Sequence, residues 1–233
     1  MLRAYLKKIG VWQPMRRVAV RVGLAPPLAH SRRSRLADFY CTGKGLEIGA
    51  SASNEFHLDA LNVDYSDDMD SHHKQFELEQ CGQAAVVDVV ASAECIPFPD
   101  SSQDFVFSSH VLEHLVDPIR ALLEWDRLVR PGGAIFMIVP HKERTFDVDR
   151  ERTTCDHLVQ DYLTHRTTPH EGPFCHEHVW ITEDIAELVI WIEQNAGVHW
   201  RLVEVHDADD KIGNGFTVVV RKTSLRDPRQ GAS

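Results

Sequence analysis

A glutamate and a glycine stand at the end of an apolar run, in the string GLEIGAS at residues 45 to 51. Gly49 would let the backbone of a turn approach a ligand closely, and Glu47 favours a ligand with positive charge or hydroxyl groups. A phosphate site would carry G-x-G-x-x-G or a Gly-Lys-Ser/Thr loop, and the chain has neither string. Because Glu47 would repel a pyrophosphate, the turn predicts a cationic ligand.

A second carboxylate, Asp64, closes the next apolar run at residues 61 to 64. A carboxylate at a strand end can accept hydrogen bonds from both hydroxyls of a ribose, although a plain turn aspartate is the alternative. Both acids suit S-adenosylmethionine, which has a cationic sulfonium, an amino group and a ribose. We therefore predict that Glu47, Gly49, Ala50 and Asp64 contact this cofactor.

Short apolar runs alternate with helical patterns along the chain. The strand-like runs lie at 45–49, 61–64, 85–90, 104–108 and 134–139, and a final pair lies at 200–207 and 215–221. The alternation predicts an α/β fold: a Rossmann-like, doubly wound, mostly parallel seven-stranded sheet with an antiparallel last strand. Helices are expected at 69–80, 117–129 and 182–195. Asp117 should cap the second of these, with Pro118 in its first turn.

The first crossover of the sheet is short. Only 12 residues separate Gly49 from Asn62, so any helix between them must be short or absent.

Ligands of such sheets bind beyond the carboxyl ends of the strands, where strand order reverses. Five further residues follow the expected third and fourth strands and join the predicted cofactor site: Ser92, Ala93, Glu94, Ser109 and His110. His141 follows the fifth strand at the same edge.

Composition divides the chain into parts. Residues 1–36 form a basic N-terminal extension, residues 37–223 the folded domain, and residues 224–233 a polar tail. Residues 141–179 are mostly polar and too long for a plain connection, so we expect a lid-like insertion there.

Charge is distributed unevenly. Residues 1–35 hold nine of the 25 basic residues and none of the 35 acidic ones, so a segment of charge +9 precedes a body of charge −19. Apolar residues between the first cations suit an amphipathic helix in residues 1–24, lying on an anionic membrane surface. A helix that caps the core and a targeting segment are the alternatives. The acidic body disfavours nucleic acid as a partner.

The length of 233 residues fits one domain with a sizeable core. No apolar run approaches the roughly 20 residues of a membrane-spanning helix. Five cysteines without paired spacing do not indicate a disulfide framework. We expect a cytoplasmic protein, with at most peripheral contact at the inner membrane, and the sequence indicates no particular oligomeric state.

Four segments resemble, in order, those of class I S-adenosylmethionine-dependent methyltransferases of the small-molecule type. They are LEIGAS at 46–51, NVDYSD at 62–67, AECIPFPDSSQDFVFSSHVLEHLVDP at 93–118 and RLVRPGGAIFMIVP at 127–140. The resemblance implies that Glu47 and Gly49 lie by the methionine part of the cofactor. It also implies that Asp64 holds the ribose and that His110 lies beneath the sulfonium.

The same resemblance places Ala93 and Glu94 beside the adenine. One residue departs from the family pattern: Ser92 stands where an aspartate commonly hydrogen-bonds the adenine amino group. A serine can still accept one hydrogen bond, so we expect weaker cofactor affinity rather than none.

Two further runs resemble a subgroup of these enzymes found with bacterial surface-polysaccharide assembly. They are HKERTFDVDRERTTCDHLVQDY at 141–162 and HEHVWIT at 176–182. The resemblance implies a glycan-type acceptor and a place near the inner membrane, where the basic extension would have a purpose.

Methyl transfer requires the donor and acceptor atoms to be aligned about 3 Å apart. A sugar hydroxyl would also need a general base, for which histidine is the usual choice at neutral pH. We rank His141 first and His178 second, and Asp147 is a third candidate. Three arginines of the insertion could bind an anionic acceptor: Arg144, Arg150 and Arg152.

Metal binding is not predicted. Cys175, His176 and His178, with His170, would form a zinc site only if the segment curled, and no paired cysteine spacing supports one. Glu113 and His114 are expected to support a helix start, and contact with the substrate is the alternative.

The interpretation that best fits these observations is methylation of a small-molecule or glycan-type acceptor, most readily at oxygen. A methyltransferase-like binding protein without activity is one alternative, which the departure at Ser92 makes conceivable. An NAD-dependent oxidoreductase is another, disfavoured because the turn lacks the third glycine and carries Glu47.

Overall fold

The computed structural model describes residues 32–168 and 176–224. The expected amphipathic helix at residues 1–24, His170 and Cys175 of the zinc alternative, and nearly all of the polar tail lie outside the described residues.

Seven strands form a single sheet in the order β3-β2-β1-β4-β5-β7-β6. They are β1 Gly45–Ile48, β2 Ala60–Asp64, β3 Val89–Val90, β4 Gln103–Ser109, β5 Val129–Pro140, β6 Trp200–His206 and β7 Gly215–Lys222. Neighbouring strands are parallel from β3 through β5, and β7 is antiparallel to both β5 and β6. The predicted fold class, including the antiparallel last strand, is confirmed.

Five α-helices accompany the sheet in the described part of the chain. They are α1 Arg35–Tyr40, α2 His72–Cys81, α3 Pro118–Leu128, α4 Cys155–Thr164 and α5 Thr182–Asn195. At the start of α3, the Asp117 side chain accepts a hydrogen bond from the Arg120 N–H at 2.9 Å, which is the predicted cap. No helix in these two described ranges is long and apolar enough to cross a membrane.

Alternating residues of the strands bury two different faces of the sheet. On β4, Val106 joins the larger cluster, which includes Trp125 of α3 and Leu188 of α5. Phe105 and Phe107 join the opposite cluster. Burial of each of these aromatic side chains stabilises the fold by about 2 to 3 kcal/mol, so β4 is fixed from both sides.

Two boundaries differ from expectation. The third strand spans only Val89–Val90 instead of 85–90. Just before it, the Asp88 N–H donates to the Asn62 carbonyl at 3.0 Å, and the Asp88 carboxylate accepts the Asn62 N–H at 2.8 Å. The fifth strand begins at Val129, directly after α3, rather than at residue 134. As expected, the first crossover holds only a short 3₁₀ helix, Ala52–Asn54.

The segment 141–179 is anchored to the sheet by its two ends. A 3₁₀ helix, Lys142–Arg144, begins it, and the Lys142 N–H donates to the Trp180 carbonyl at 2.9 Å. Farther along, the Thr153 N–H donates to the Val179 carbonyl at 2.8 Å. These bonds bring residues 176–180 back beside the carboxyl edge of the sheet.

Candidate functional site

Strand register brings three of the predicted cofactor residues to one edge and one face of the sheet. Glu47 lies opposite Asn62 of β2 and Phe107 of β4. Because side chains alternate along a strand, Asp64 and Ser109, each two residues further on, share the face of Glu47. We call Glu47, Gly49, Asp64 and Ser109 the cofactor edge.

Gly49 makes the turn that the sequence predicted. Its φ is +66°, in the left-handed region that favours glycine, and its N–H donates to the Val63 carbonyl at 2.8 Å. A Cβ at this position would lie 2.7 Å from Cγ2 of Val111. The turn therefore requires glycine for its conformation and for its space.

Asn62 positions the loop that follows Gly49. Its Oδ1 accepts the Ala50 N–H at 3.0 Å, and its Nδ2 donates to the Val86 carbonyl at 2.7 Å. This role was not predicted from the sequence, although alternation on β2 places Asn62 on the same face as Asp64.

Glu47 is an acid on a largely apolar face. Burial raises its pKa to about 7, and nearby Lys211 opposes that shift. Lys211 is itself 1% exposed and lies 3.9 Å above the Phe56 ring, and burial lowers its pKa to about 8. Lys211 lies in the turn before β7, and its position in the sequence did not predict that it would lie near Glu47.

A cleft of about 350 Å³ opens beside Glu47. Ala50 and Asn62 also line it, so the structure brings Glu47 and Ala50 together as expected. Asp64 and His110 lie along the strand edge outside this cleft.

Asp64 ends β2 with an oriented carboxylate. Its Oδ1 accepts the Tyr65 N–H at 2.7 Å, which fixes the side chain at the strand end. Burial raises its pKa, and the Tyr65 hydrogen bond opposes that rise.

The predicted adenine residues form a turn after β3. The exposed Ser92 accepts the Glu94 N–H at 3.3 Å with its hydroxyl. The Ala93 carbonyl accepts the Trp125 indole N–H at 3.0 Å, which fastens the turn to α3. Burial raises the pKa of Glu94, and Asp117 acts in the same direction.

Ser109 and His110 complete the edge after β4. The Ser109 hydroxyl is buried and has no hydrogen-bond partner among the described residues. His110 has a φ of +57°, and burial lowers its pKa to about 4. An unpartnered hydroxyl, a glycine turn and two partly buried acids fit a nucleoside that carries positive charge and ribose hydroxyls.

The three candidate bases occupy different surroundings. His141 is 5% exposed; its Nδ1 accepts the Glu143 N–H at 3.2 Å, and its Nε2 lies 3.6 Å from Asp207. His178 is fully buried with its ring stacked on Trp180, and burial lowers its pKa to about 4. Both rings are therefore buried.

Asp147 is a buried partner of another histidine. It is 1% exposed, and its Oδ2 lies 2.6 Å from Nδ1 of His176. Its Oδ1 accepts a hydrogen bond from Arg150 at 2.9 Å.

The three arginines expected to bind an acceptor already have acidic partners. Arg144 pairs with Asp207, Arg150 with Asp147, and Arg152 with Asp184. A cleft of about 400 Å³ nevertheless lies in this insertion, and Arg150 and His176 line it.

Glu113 has surroundings that its expected role at a helix start does not explain. Its side chain is fully buried, and burial raises its pKa to about 8, with Asp147 acting in the same direction. Glu113 and His114 lie on the 3₁₀ helix Leu112–His114, and His176 approaches them from the insertion. We call Glu113, His114 and His176 the histidine cluster.

Comparisons with known proteins find similarity to methyltransferases. Residues 41–137, which span β1 to β5, match the methyltransferase domain family model. An uncharacterised methyltransferase of Schizosaccharomyces pombe is 48% identical over 40 residues, 17% of this chain and 14% of its own length. The ubiquinone/menaquinone biosynthesis C-methyltransferase UbiE of Hahella chejuensis is 42% identical over 50 residues, 22% of this chain and 20% of its own length.

The chain thus spans only a small part of the length of these curated relatives. Among solved structures, a SAM-dependent methyltransferase from Aquifex aeolicus has a TM-score of 0.47 at 18% identity, covering 81% of this chain and 87% of its own. Residues 41–137 are thus similar to a methyltransferase domain.

Proposed function

We propose that the chain as a whole transfers a methyl group from S-adenosylmethionine to an oxygen of a small, glycan-type acceptor. The observation that carries this proposal is the cofactor edge within the matched methyltransferase domain. Gly49 forms its turn, and Glu47, Asp64 and Ser109 share one face of the sheet.

Each edge residue has a distinct part in this proposal. Asp64 would accept hydrogen bonds from the ribose hydroxyls, since its carboxylate is oriented by the Tyr65 N–H. Glu47 would face the positive charge of the methionine part, which would offset the cost of its burial. Bound S-adenosylmethionine supplies an electrophilic methyl group on a cationic sulfur.

The adenine would rest on the turn after β3. Ser92 would accept one hydrogen bond from the adenine amino group, with Ala93 and Glu94 on either side. Because Trp125 holds the Ala93 carbonyl, this turn is preorganised for a planar ring.

The acceptor would enter from the insertion side. His110 follows Ser109 at the edge, and its Nδ1 lies 3.6 Å from the Glu113 carboxylate. Residues of the histidine cluster therefore lie beside the end of the cofactor edge where the methyl group would be presented. In this proposal the insertion 141–179 acts as a lid that excludes water from the reacting atoms.

The three candidate bases differ in how well they could take a proton from the acceptor. The Nδ1 of His141 already accepts the Glu143 N–H, and His178 is fully buried. Asp147 reaches the cluster through His176, so we assign it as a positioning residue. His141→Ala would reduce turnover by about 100-fold if His141 were the base, and we expect a smaller effect.

Two other functions are alternatives to this proposal, and each would give a different result in the assay described next. The short matches to UbiE proteins would favour methylation of a carbon in a quinone-type ring. The substitution at Ser92 would favour a protein that binds the cofactor without turnover.

The test combines calorimetry with product analysis. Saturable S-adenosylmethionine binding together with methyl transfer to a sugar hydroxyl supports the proposal. Binding without transfer to any acceptor supports the inactive alternative, and transfer to an aromatic carbon supports the quinone alternative. Absence of cofactor binding would refute the proposal altogether.

We also propose that residues 1–24 bind an anionic membrane surface, from their excess of basic residues. Deletion of these residues should abolish co-sedimentation with anionic liposomes. Unchanged partitioning of the truncated protein would remove this hypothesis.

A further inference from the structure

Glu113 is a buried carboxylate whose hydrogen-bonding capacity is unused in the described part of the chain. Its side chain is 0% exposed, and neither oxygen has a hydrogen-bond partner among the described residues. Burying such a group without a partner is costly, so native structures rarely tolerate it unless a ligand or ion completes the site.

Imidazole nitrogens surround one oxygen of this carboxylate. Nδ1 of His110 lies 3.6 Å from Oε1, Nε2 of His114 lies 3.7 Å away, and Nε2 of His176 lies 3.9 Å away. These distances are too long for hydrogen bonds. Two ligands of a tetrahedral zinc ion lie about 3.4 Å apart, so an ion would shorten these distances to Oε1 by a few tenths of an ångström.

The ligand atoms of the histidine cluster also lie near one another. One atom each from Glu113, His114 and His176 lies within 4.8 Å of the other two. His110 remains outside this set and lies between the cluster and Ser109 of the cofactor edge.

Asp147 orients the ring of His176. Its Oδ2 lies 2.6 Å from Nδ1, so the proton of a neutral His176 is held on Nδ1 and the lone pair of Nε2 faces Glu113. A carboxylate behind a ligating histidine is the usual outer partner in metal sites. Arg150 in turn holds Asp147 in place at 2.9 Å.

The backbone also joins the two parts of the cluster. The His178 N–H donates to the Glu113 carbonyl at 3.1 Å, which ties the segment carrying His176 to the 3₁₀ helix carrying Glu113. The Phe146 ring lies 4.7 Å from the His176 ring and covers it on the insertion side.

We propose that Glu113, His114 and His176 bind one divalent transition-metal ion. Two histidines and one carboxylate suit zinc or iron(II), and three protein ligands leave coordination positions open. Because the cluster lies next to His110, an open position would face the proposed acceptor.

The role of the ion deepens the proposed methyl transfer and rests on it. A divalent ion that binds the acceptor hydroxyl lowers its pKa, and the released proton passes to water. The oxygen lone pair then forms the bond to the methyl carbon while the carbon–sulfur bond breaks and its electron pair stays on sulfur. The metal ion would thus activate an alcohol without requiring His141 or His178 to act as the general base.

Zinc titration of the full-length, chelator-treated protein by calorimetry tests the site directly. We expect one zinc ion per chain, with affinity reduced at least about 100-fold in Glu113→Gln and in His176→Ala. Asp147→Asn should reduce zinc affinity by about 10- to 100-fold, since it acts through His176. His72→Ala and Glu79→Gln, which change exposed residues of α2, are the matched controls and should bind zinc like the wild type.

S-adenosylmethionine affinity measured in the same variants separates the two proposals. It should remain within about threefold of the wild type, because the cluster lies outside the cofactor edge. Absence of a saturable zinc site in the wild type would overturn the metal proposal, and so would undiminished zinc binding by Glu113→Gln. Zinc binding without cofactor binding would keep the site and refute the methyl-transfer role.

Discussion

The cofactor edge and the histidine cluster differ in how their residues are distributed along the chain. The cofactor edge comes from the ends of adjacent parallel strands, so each residue is set by a short local pattern and by strand register. The histidine cluster joins residues 113 and 114 to residue 176 across the insertion. A site such as the cofactor edge can be predicted from short local sequence patterns. A site such as the histidine cluster forms only when distant parts of the chain pack together.

The two regions also carry their buried charge differently. Glu47 has Lys211 nearby, which lowers the cost of its burial. Glu113 has imidazole nitrogens at 3.6 to 3.9 Å and no hydrogen bond among the described residues. The cofactor edge therefore has a compensating cation within the polypeptide, whereas the proposed metal ion would supply one at the cluster.

Gly49→Ala should have the largest effect on the cofactor edge. The substitution forces a left-handed backbone on alanine and places its Cβ 2.7 Å from Val111. We expect a loss of about 2 to 4 kcal/mol in the free energy of unfolding, together with loss of cofactor binding. Chemical denaturation provides the measurement.

Gly82→Ala is the matched control for that experiment. Gly82 also has a positive φ, of +76°, but a Cβ added there would meet no described atom within 4 Å. Gly82→Ala should lower the free energy of unfolding by only about 1 kcal/mol, because it forces the left-handed backbone on alanine without a steric contact. Equal costs at Gly49 and Gly82 would show that the Val111 contact is unimportant.

Glu47→Gln should change how stability depends on pH. The pKa of Glu47 is raised to about 7, so the folded state binds the proton more tightly than the unfolded state. Wild-type stability should therefore fall as pH rises from about 4.5 to about 7 and level off above that. At pH 8 the variant should be more stable than the wild type by about 2 kcal/mol, although its cofactor affinity falls.

Denaturation curves at pH 5 and pH 8 measure this difference, with the exposed Glu79→Gln as control. A variant whose stability advantage is the same at both pH values would mean that Glu47 is ionised throughout this range.

Ser92→Asp should have the smallest effect and should strengthen binding. A carboxylate accepts a stronger hydrogen bond from the adenine amino group than a hydroxyl does, so we expect cofactor affinity to rise about 3- to 10-fold. Ser92→Ala should weaken it slightly. A loss of affinity in Ser92→Asp would place the adenine away from this turn.

The sheet could be predicted well from the sequence because its signals are local. Each of these signals depends on neighbouring residues: the apolar runs, the cap formed by Asp117 and Pro118, and the short first crossover. The third strand was overestimated: residues 85–88 lie outside it, and Asp88 is joined to Asn62 by one backbone bond and one side-chain hydrogen bond. No pattern in the runs alone could reveal those bonds.

The candidate site was predicted only in part, for the same reason. Glu47, Gly49 and Asp64 lie at the carboxyl ends of neighbouring strands, so their common edge can be deduced from the topology. Lys211 and His176 reach their partners through turns and an insertion, whose paths depend on packing. Glu113 was interpreted as support for a helix start because its burial has no signal in sequence.

Calorimetric titration of S-adenosylmethionine into the wild type and Asp64→Ala tests the central claim most directly, with the exposed Asp67→Ala as the matched control. Two hydrogen bonds from ribose to a carboxylate are lost in Asp64→Ala, so its affinity should fall by about 100-fold or more while Asp67→Ala binds like the wild type. Equal affinities of Asp64→Ala and wild type would contradict the assignment of the cofactor edge.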